Sequence, residues 1–378
     1  MRILMVSDVY FPRVNGVSSA VNTYRRTLLN EGIEIRLVAP DYGETTEDES
    51  WITRVASRPV PLDPEDRIMR WSALVKAVEK EAATCDLIHV QTPFLAHYAA
   101  AKVARKLKLP LILSYHTLFE EYFHHYIPFL PAALLKAIAR RISRNQCNEV
   151  DSVIVPSTAM QDRLQDYGVK KPMQILPTGI PLDKFNAGDG LHFRKQHNIP
   201  PQRPIALFVG RVAYEKNISF LLESLEIARL QMPDILLVIT GDGPALEYLR
   251  REAHHRQLDD NVLFLGYMDR LRELPDCYAS ANVFVFASRT ETQGLVLIEA
   301  MAMGVPVVAL SRMGTTDILA ARRGAVVPDD DPEIFAHELT ALLQDPDRQE
   351  KLAQEAREHA RRWDETVLAR RLAAVYRN

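Results

Sequence analysis

Short, fully apolar runs alternate with amphipathic stretches along the whole chain. In the first half the runs fall at residues 3–7, 33–38, 87–90, 111–114 and 153–155, and in the second at 205–209, 235–239, 262–265, 283–286 and 305–309. Runs this short and this apolar, separated by helical periodicity, predict parallel strands covered by crossover helices. Both halves therefore read as doubly wound α/β sheets of similar rhythm.

A stretch rich in proline and glycine at residues 177–204 separates the two sets, which predicts a linker there. The expected domains are residues 1–185 and 186–361. The tail at 362–378 puts Val367, Leu368, Leu372 and Val375 on one helical face that either domain could cover. Residues 43–66, acidic and then punctuated by prolines, predict an exposed loop.

Composition narrows the class. The 378 residues are 25% charged and 47% apolar, values of a soluble globular protein and not of a disordered or fibrous one. The net charge of −3 carries no basic excess of the kind that duplex nucleic acid demands. Residues 1–185 sum to +2 and the remainder to −5. Cys85, Cys147 and Cys277 are odd in number and widely spaced, which fits a reducing compartment better than a disulfide frame or a zinc site. The chain opens without the h-region of a signal peptide, and no apolar run nears about 18 residues, so a cytoplasmic protein is expected.

Ligands of open α/β sheets bind beyond the carboxyl ends of the strands, so the segments just after strands carry the candidate chemistry. Residues 8–19 join the first strand to a helix, and Gly16 there lets backbone N–H groups close on an anion; an ordinary turn is the alternative. Gly210-Arg211 with Lys216 supplies a bidentate fork and a point charge suited to a diphosphate, or else a solvated basic pair. Gly241-Asp242-Gly243-Pro244 reads as a turn and helix start. Glu291 lies in the loop after a strand, whereas Glu299 sits in a helix among Ile298, Ala300 and Met301, where a charge requires a partner. Sugar or ribose hydroxyls would serve, as would a salt bridge. Asp345-Pro346-Asp347 lies in a turn far from any strand, so no catalytic metal is expected.

Glu291 and Glu299 enclose seven residues, giving an E-x7-E motif. With the glycine loop after the first strand, the His116 region, Leu176 to Ile180 and the Gly210 to Asn217 segment, the chain resembles the family 4 retaining glycosyltransferases of GT-B fold along essentially its whole length. That resemblance implies two Rossmann-like domains facing across a cleft, with the terminal helix back on the first. It assigns Arg211 and Lys216 to the leaving diphosphate, Gly16 to phosphate approach, Gly210 to donor binding, and Glu291 with Gln293, Gly294 and Leu295 to the donor sugar. Glu299 falls to the ribose, Tyr267 and Met268 to the base, and His116 to a position beside the transferred sugar. A phosphate oxygen then takes the acceptor's proton, so neither a protein base nor a cofactor is implied.

The segment from Tyr115 to Tyr126 resembles the lipid-acceptor branch, which includes diacylglycerol glucosyltransferases, and places Tyr122 and Tyr126 on the acceptor side. In the helix that follows, at about 100° per residue, Leu134, Leu135, Ile138 and Ile142 share one arc and Lys136, Arg140 and Arg144 another. A covering helix with a solvated basic face, or one meeting an anionic leaflet, fits equally. His124 and His125 are adjacent, and so point too far apart to share a metal.

The expected function is transfer of a hexose, with UDP-glucose as donor, to a membrane lipid hydroxyl at the inner leaflet. The alternatives are a soluble sugar or polysaccharide precursor as acceptor, or a sugar-nucleotide epimerase or hydrolase of the same fold.

Overall fold

A computed structural model describes residues 1–13, 15–43, 50–60, 63–116, 132–185, 187–270 and 272–377. The chain divides into two compact units, Met1–Gly179 with Glu365–Asn378, and Ile180–Asp364.

The first unit contains β1 (Arg2–Val6), β2 (Glu34–Pro40), β3 (Ile52–Val55), β4 (Ser57–Val60), β5 (Asp63–Met69), β6 (Leu87–Val90), β7 (Leu111–Ser114), β8 (Ser152–Val155) and β9 (Met173–Ile175). Seven of these make a parallel sheet in the order β3-β2-β1-β6-β7-β8-β9. Ile3, Leu4, Met5 and Val6 are fully buried, the signature of a parallel strand covered on both faces, which is why the apolar run marked it. Residues 43–66 are not simply a loop: they contain the edge strand β3 and lead into the antiparallel β4–β5 ribbon. Polar residues hold this edge, with Thr53 Oγ1 donating to Glu81 Oε1 at 2.8 Å, so apolar periodicity carried no signal there.

The helix Glu365–Arg377 belongs to the first unit and packs on the helix Gly16–Leu28. Its buried face is Leu368, Ala369, Leu372, Ala373 and Tyr376, while Val367 is exposed, so the apolar face expected from the sequence is rotated. Small alanines against a neighbouring helix, which carry little hydrophobic weight in a sequence pattern, define the contact. Tyr376 Oη reaches 2.6 Å from His89 Nδ1 in the middle of β6, and His89 Nε2 lies 2.8 Å from Ser114 Oγ on β7. A histidine in the sheet centre is tolerated because both ring nitrogens are satisfied.

The second unit holds β10 (Ile205–Val209), β11 (Leu236–Thr240), β12 (Val262–Gly266), β13 (Val283–Phe286), β14 (Val307–Ala309) and β15 (Ala325–Val326). They form one parallel sheet in the order β12-β11-β10-β13-β14-β15. Strand order reverses between β1 and β6 in one unit and between β10 and β13 in the other, the switch points at which such sheets open toward ligands. The division falls after Gly179, inside the proline- and glycine-rich stretch at 177–204 and before the expected boundary at residue 185. Residues 180–204 are packed into the second unit: Phe185 is fully buried with its ring 6.1 Å from that of Tyr278, and Asp189 caps the helix Gly190–Gln196 through the N–H of His192.

Candidate active site

In the second unit the candidate residues lie beyond the carboxyl ends of the central strands. Gly210 and Arg211 follow β10 directly; Arg211 is exposed and has no ion pair among the described residues. Lys216 ends the short 3-10 turn Tyr214–Lys216, and Asn217 ties that turn to β13 through a 3.2 Å bond from Nδ2 to the Ala287 carbonyl. The Lys216 ammonium donates to Glu291 Oε2 at 2.6 Å, with both side chains less than a fifth exposed.

The loop carrying Glu291 is fixed from behind. Gly314 N donates to the Glu291 carbonyl at 2.8 Å, and a Cβ on Gly314 would stand 2.0 Å from the Thr292 carbonyl oxygen, so only glycine lets the two loops pass. Gln293 is buried, and Gly294, left-handed at φ +93°, turns the chain into the helix Leu295–Ala302. The free N–H groups at that end favour negative charge.

One turn further on, Glu299 is 2% exposed. Its Oε1 accepts from Arg270 through Nε at 2.9 Å and also through Nη2, and its Oε2 accepts from Tyr278 Oη at 3.0 Å. The counter-charge a buried carboxylate requires thus comes from its own unit. Arg270 stands 29 residues before Glu299, a separation with no periodic meaning. Beside it after β12, Tyr267 is 66% exposed and Met268 is buried.

In the first unit, three adjacent strands end in polar residues. Asp8, after β1, accepts from Thr92 Oγ1 at 2.7 Å and from the Ala96 N–H at 3.0 Å, and burial still pushes its carboxyl up to about 6. His116, after β7, donates from Nε2 to Gln91 Oε1 at 3.2 Å, and burial takes the imidazole down to about 4, leaving a neutral ring. Gln91 Nε2 is buried without a hydrogen-bond partner among the described residues. Gly16 starts a helix capped by Asn15, whose Oδ1 accepts from Ser18 N at 2.8 Å, and the space beside its Cα is open. Gln91 was not singled out from the sequence, although it directly follows β6, the position that marked the others; Asp8 opened the candidate segment 8–19 without a role of its own.

The structure therefore joins Lys216 to Glu291, and gathers Gly210, Arg211, Gln293, Gly294, Leu295 and Glu299 on the strand ends of one sheet. Gly16 and His116 belong to the other unit, as do Lys136, Arg140 and Arg144. These three line a groove of about 650 Å³ with Arg141, Arg163 and Tyr167, and the Arg140 guanidinium stands 5.6 Å from the Tyr167 ring centre. The apolar arc of that helix divides: Leu135 is buried with Ala139, Ser143 and Cys147, whereas Leu134, Ile138 and Ile142 are 49%, 41% and 37% exposed. Small and polar residues form the packed face, so hydropathy alone misplaced it. Tyr122, Tyr126, His124 and His125 lie outside the described residues. Asp345 caps the helix Pro346–Ala360 through the Arg348 N–H at 2.9 Å, a local structural role.

Two parallel α/β units, one with cations and glutamates beyond its strand ends, are the architecture of the GT-B fold. Residues 14–184 match Glycosyltransferase Family 4 and residues 191–359 match Glycosyl transferases group 1. The chain is 31% identical to the alpha-monoglucosyldiacylglycerol synthase of Streptococcus pneumoniae over 93% of its own length and 80% of that protein. It is 28% identical to the sulfoquinovosyl transferase SQD2 of Arabidopsis thaliana over 96% of the chain and 70% of that protein. The crystal structure of Anabaena Alr3699/HepE in complex with UDP and glucose superposes with a TM-score of 0.79 at 18% identity, covering 100% of this chain and 99% of that one. The chain belongs to the family 4 glycosyltransferases.

Proposed function

We propose that the chain is a retaining hexosyltransferase that moves glucose from UDP-glucose to a hydroxyl of a membrane lipid such as diacylglycerol, without a metal ion. The Lys216–Glu291 contact carries this reading. A diphosphate arriving at Lys216 and Arg211 draws the ammonium toward phosphate oxygens and frees the Glu291 carboxylate for sugar hydroxyls. The same two cations then stabilise the charge that builds on the diphosphate as it leaves.

The remaining groups divide the donor between them. Backbone N–H groups around Gln293, Gly294 and Leu295 take sugar or phosphate oxygens, Glu299 the ribose, Tyr267 and Met268 the base, while Gly16 and Gly210 admit the phosphates. His116, being neutral, supplies a hydrogen bond to the sugar without a charge. A phosphate oxygen receives the acceptor's proton, so no protein base takes part.

For the acceptor, the relatives named for glucosyldiacylglycerol and sulfoquinovosyl transfer favour a lipid, as does the exposed ridge Leu134, Ile138 and Ile142, with Lys136, Arg140 and Arg144 on another arc of the same helix. Among the described residues no helix is long and apolar enough to cross a membrane, so the enzyme is proposed to sit peripherally on an anionic inner leaflet, each basic residue adding about 1 kcal/mol.

The test offers radiolabelled UDP-glucose or GDP-mannose with vesicles containing diacylglycerol, or with a soluble extract. Label from UDP-glucose in the organic phase is expected. Label confined to the aqueous phase, with nucleoside diphosphate released and the label in a product other than the donor, would move the acceptor to soluble sugars, and label from GDP-mannose alone would replace the donor.

A further inference from the structure

Arg270 is the residue beside the E-x7-E pair that the motif does not contain. It leaves the loop after β12, stands 5.9 Å over the ring of the fully buried Phe185, and reaches Glu299 Oε1 through two nitrogens, Nε at 2.9 Å and Nη2. Tyr278, itself fully buried, fixes the other carboxylate oxygen at 3.0 Å. The carboxylate is thus gripped at both oxygens, by a fully buried phenol on one and by a guanidinium seated over the Phe185 ring on the other.

We propose that Arg270, seconded by Tyr278, is the positioning residue that makes Glu299 selective for the vicinal diol of a ribonucleotide over a 2′-deoxyribonucleotide. A carboxylate with 2% exposure and no counter-charge is costly, and a neutral diol alone does not supply that charge. Arg270 supplies it through Oε1. One oxygen is committed to the guanidinium and the other to a single phenol, so acceptor lone pairs remain on a carboxylate of fixed orientation. Losing either grip lets the carboxylate rotate, and the second hydroxyl then loses its partner.

This inference rests on the proposed role of Glu299 at the ribose. The experiment measures binding of UDP and 2′-deoxy-UDP by calorimetry to wild type, Arg270→Gln, Arg270→Lys and Tyr278→Phe, each checked for an unchanged melting transition. Wild type is expected to prefer UDP by about 10-fold or more, the worth of a hydrogen bond to a charged group. Arg270→Gln should bring that ratio close to one, Tyr278→Phe should lower it, and Arg270→Lys should restore part of it. If wild type binds UDP with preference and Arg270→Gln keeps the ratio, the positioning role is wrong. If Arg270→Gln instead binds UDP more tightly, Arg270 is a competitor for the ribose position and the inference is likewise overturned. A wild type that binds neither nucleotide would overturn the donor-site reading itself.

Discussion

Lys216 and Glu291, 75 residues apart in sequence, meet at 2.6 Å, so in the unliganded enzyme the cation of one loop holds the carboxylate of another. Each neutralises the other.

Lys216→Ala therefore removes the leaving-group charge and leaves Glu291 without its cation. Turnover is expected to fall at least about 100-fold, the usual loss for a preorganised electrostatic contact. Glu291→Gln, which preserves shape, should weaken sugar recognition while leaving UDP binding within a few fold. Steady-state kinetics alongside UDP titration separate the two; equal loss of UDP affinity in both variants would count against this division of labour.

Gly314→Ala tests the loop behind Glu291. Its Cβ would stand 2.0 Å from the Thr292 carbonyl oxygen, and the neighbour is backbone, which yields only by moving the loop. Transfer activity should drop at least about tenfold, because a small misplacement of a positioning group is costly. Full activity in this variant would show that the loop is free to shift without consequence.

Acid sensitivity should trace to His89. Burial takes its imidazole from the ordinary 6.5 down to about 3, so the unfolded chain binds the proton first as pH falls. Its contribution is intact above pH 6.5 and is lost progressively toward 3. Asp8 runs the other way: raised from 3.8 to about 6, it favours the folded state below 3.8, and that benefit disappears as pH rises through 6. The histidine shift is larger, and His116 adds to it. Melting temperature should fall between about pH 7.5 and about 4.5, less steeply in His89→Gln than in wild type. Parallel curves would remove His89 as the cause.

Replacing Leu134, Ile138 and Ile142 together by serine tests the membrane reading. All three are substantially exposed, so the melting temperature should move little. Flotation with anionic vesicles should lose at least about tenfold in bound fraction, as expected when apolar area can no longer leave water. Undiminished flotation would assign the ridge to some other contact.

The central strands of both sheets and the position of the E-x7-E pair were legible in the sequence because burial on both faces writes a short apolar run, and because Glu299 among Ile298, Ala300 and Met301 announces a charge in need of a partner. The edge strand β3, the exposed ridge of the helix Ala132–Glu149 and the rotated face of Glu365–Arg377 were not legible. Alanine, serine and threonine pack or pair without marking a hydropathy pattern.

What the sequence determined by itself was the family, the two α/β units and which residue types stand beyond the strands. Only the tertiary structure decided that Lys216 faces Glu291, that Arg270 and Tyr278 hold Glu299, and that Tyr376 returns to His89. Those partners lie 75, 29, 21 and 287 residues apart. No local period links positions so far apart; packing of the sheet and its loops brings them into hydrogen-bond range.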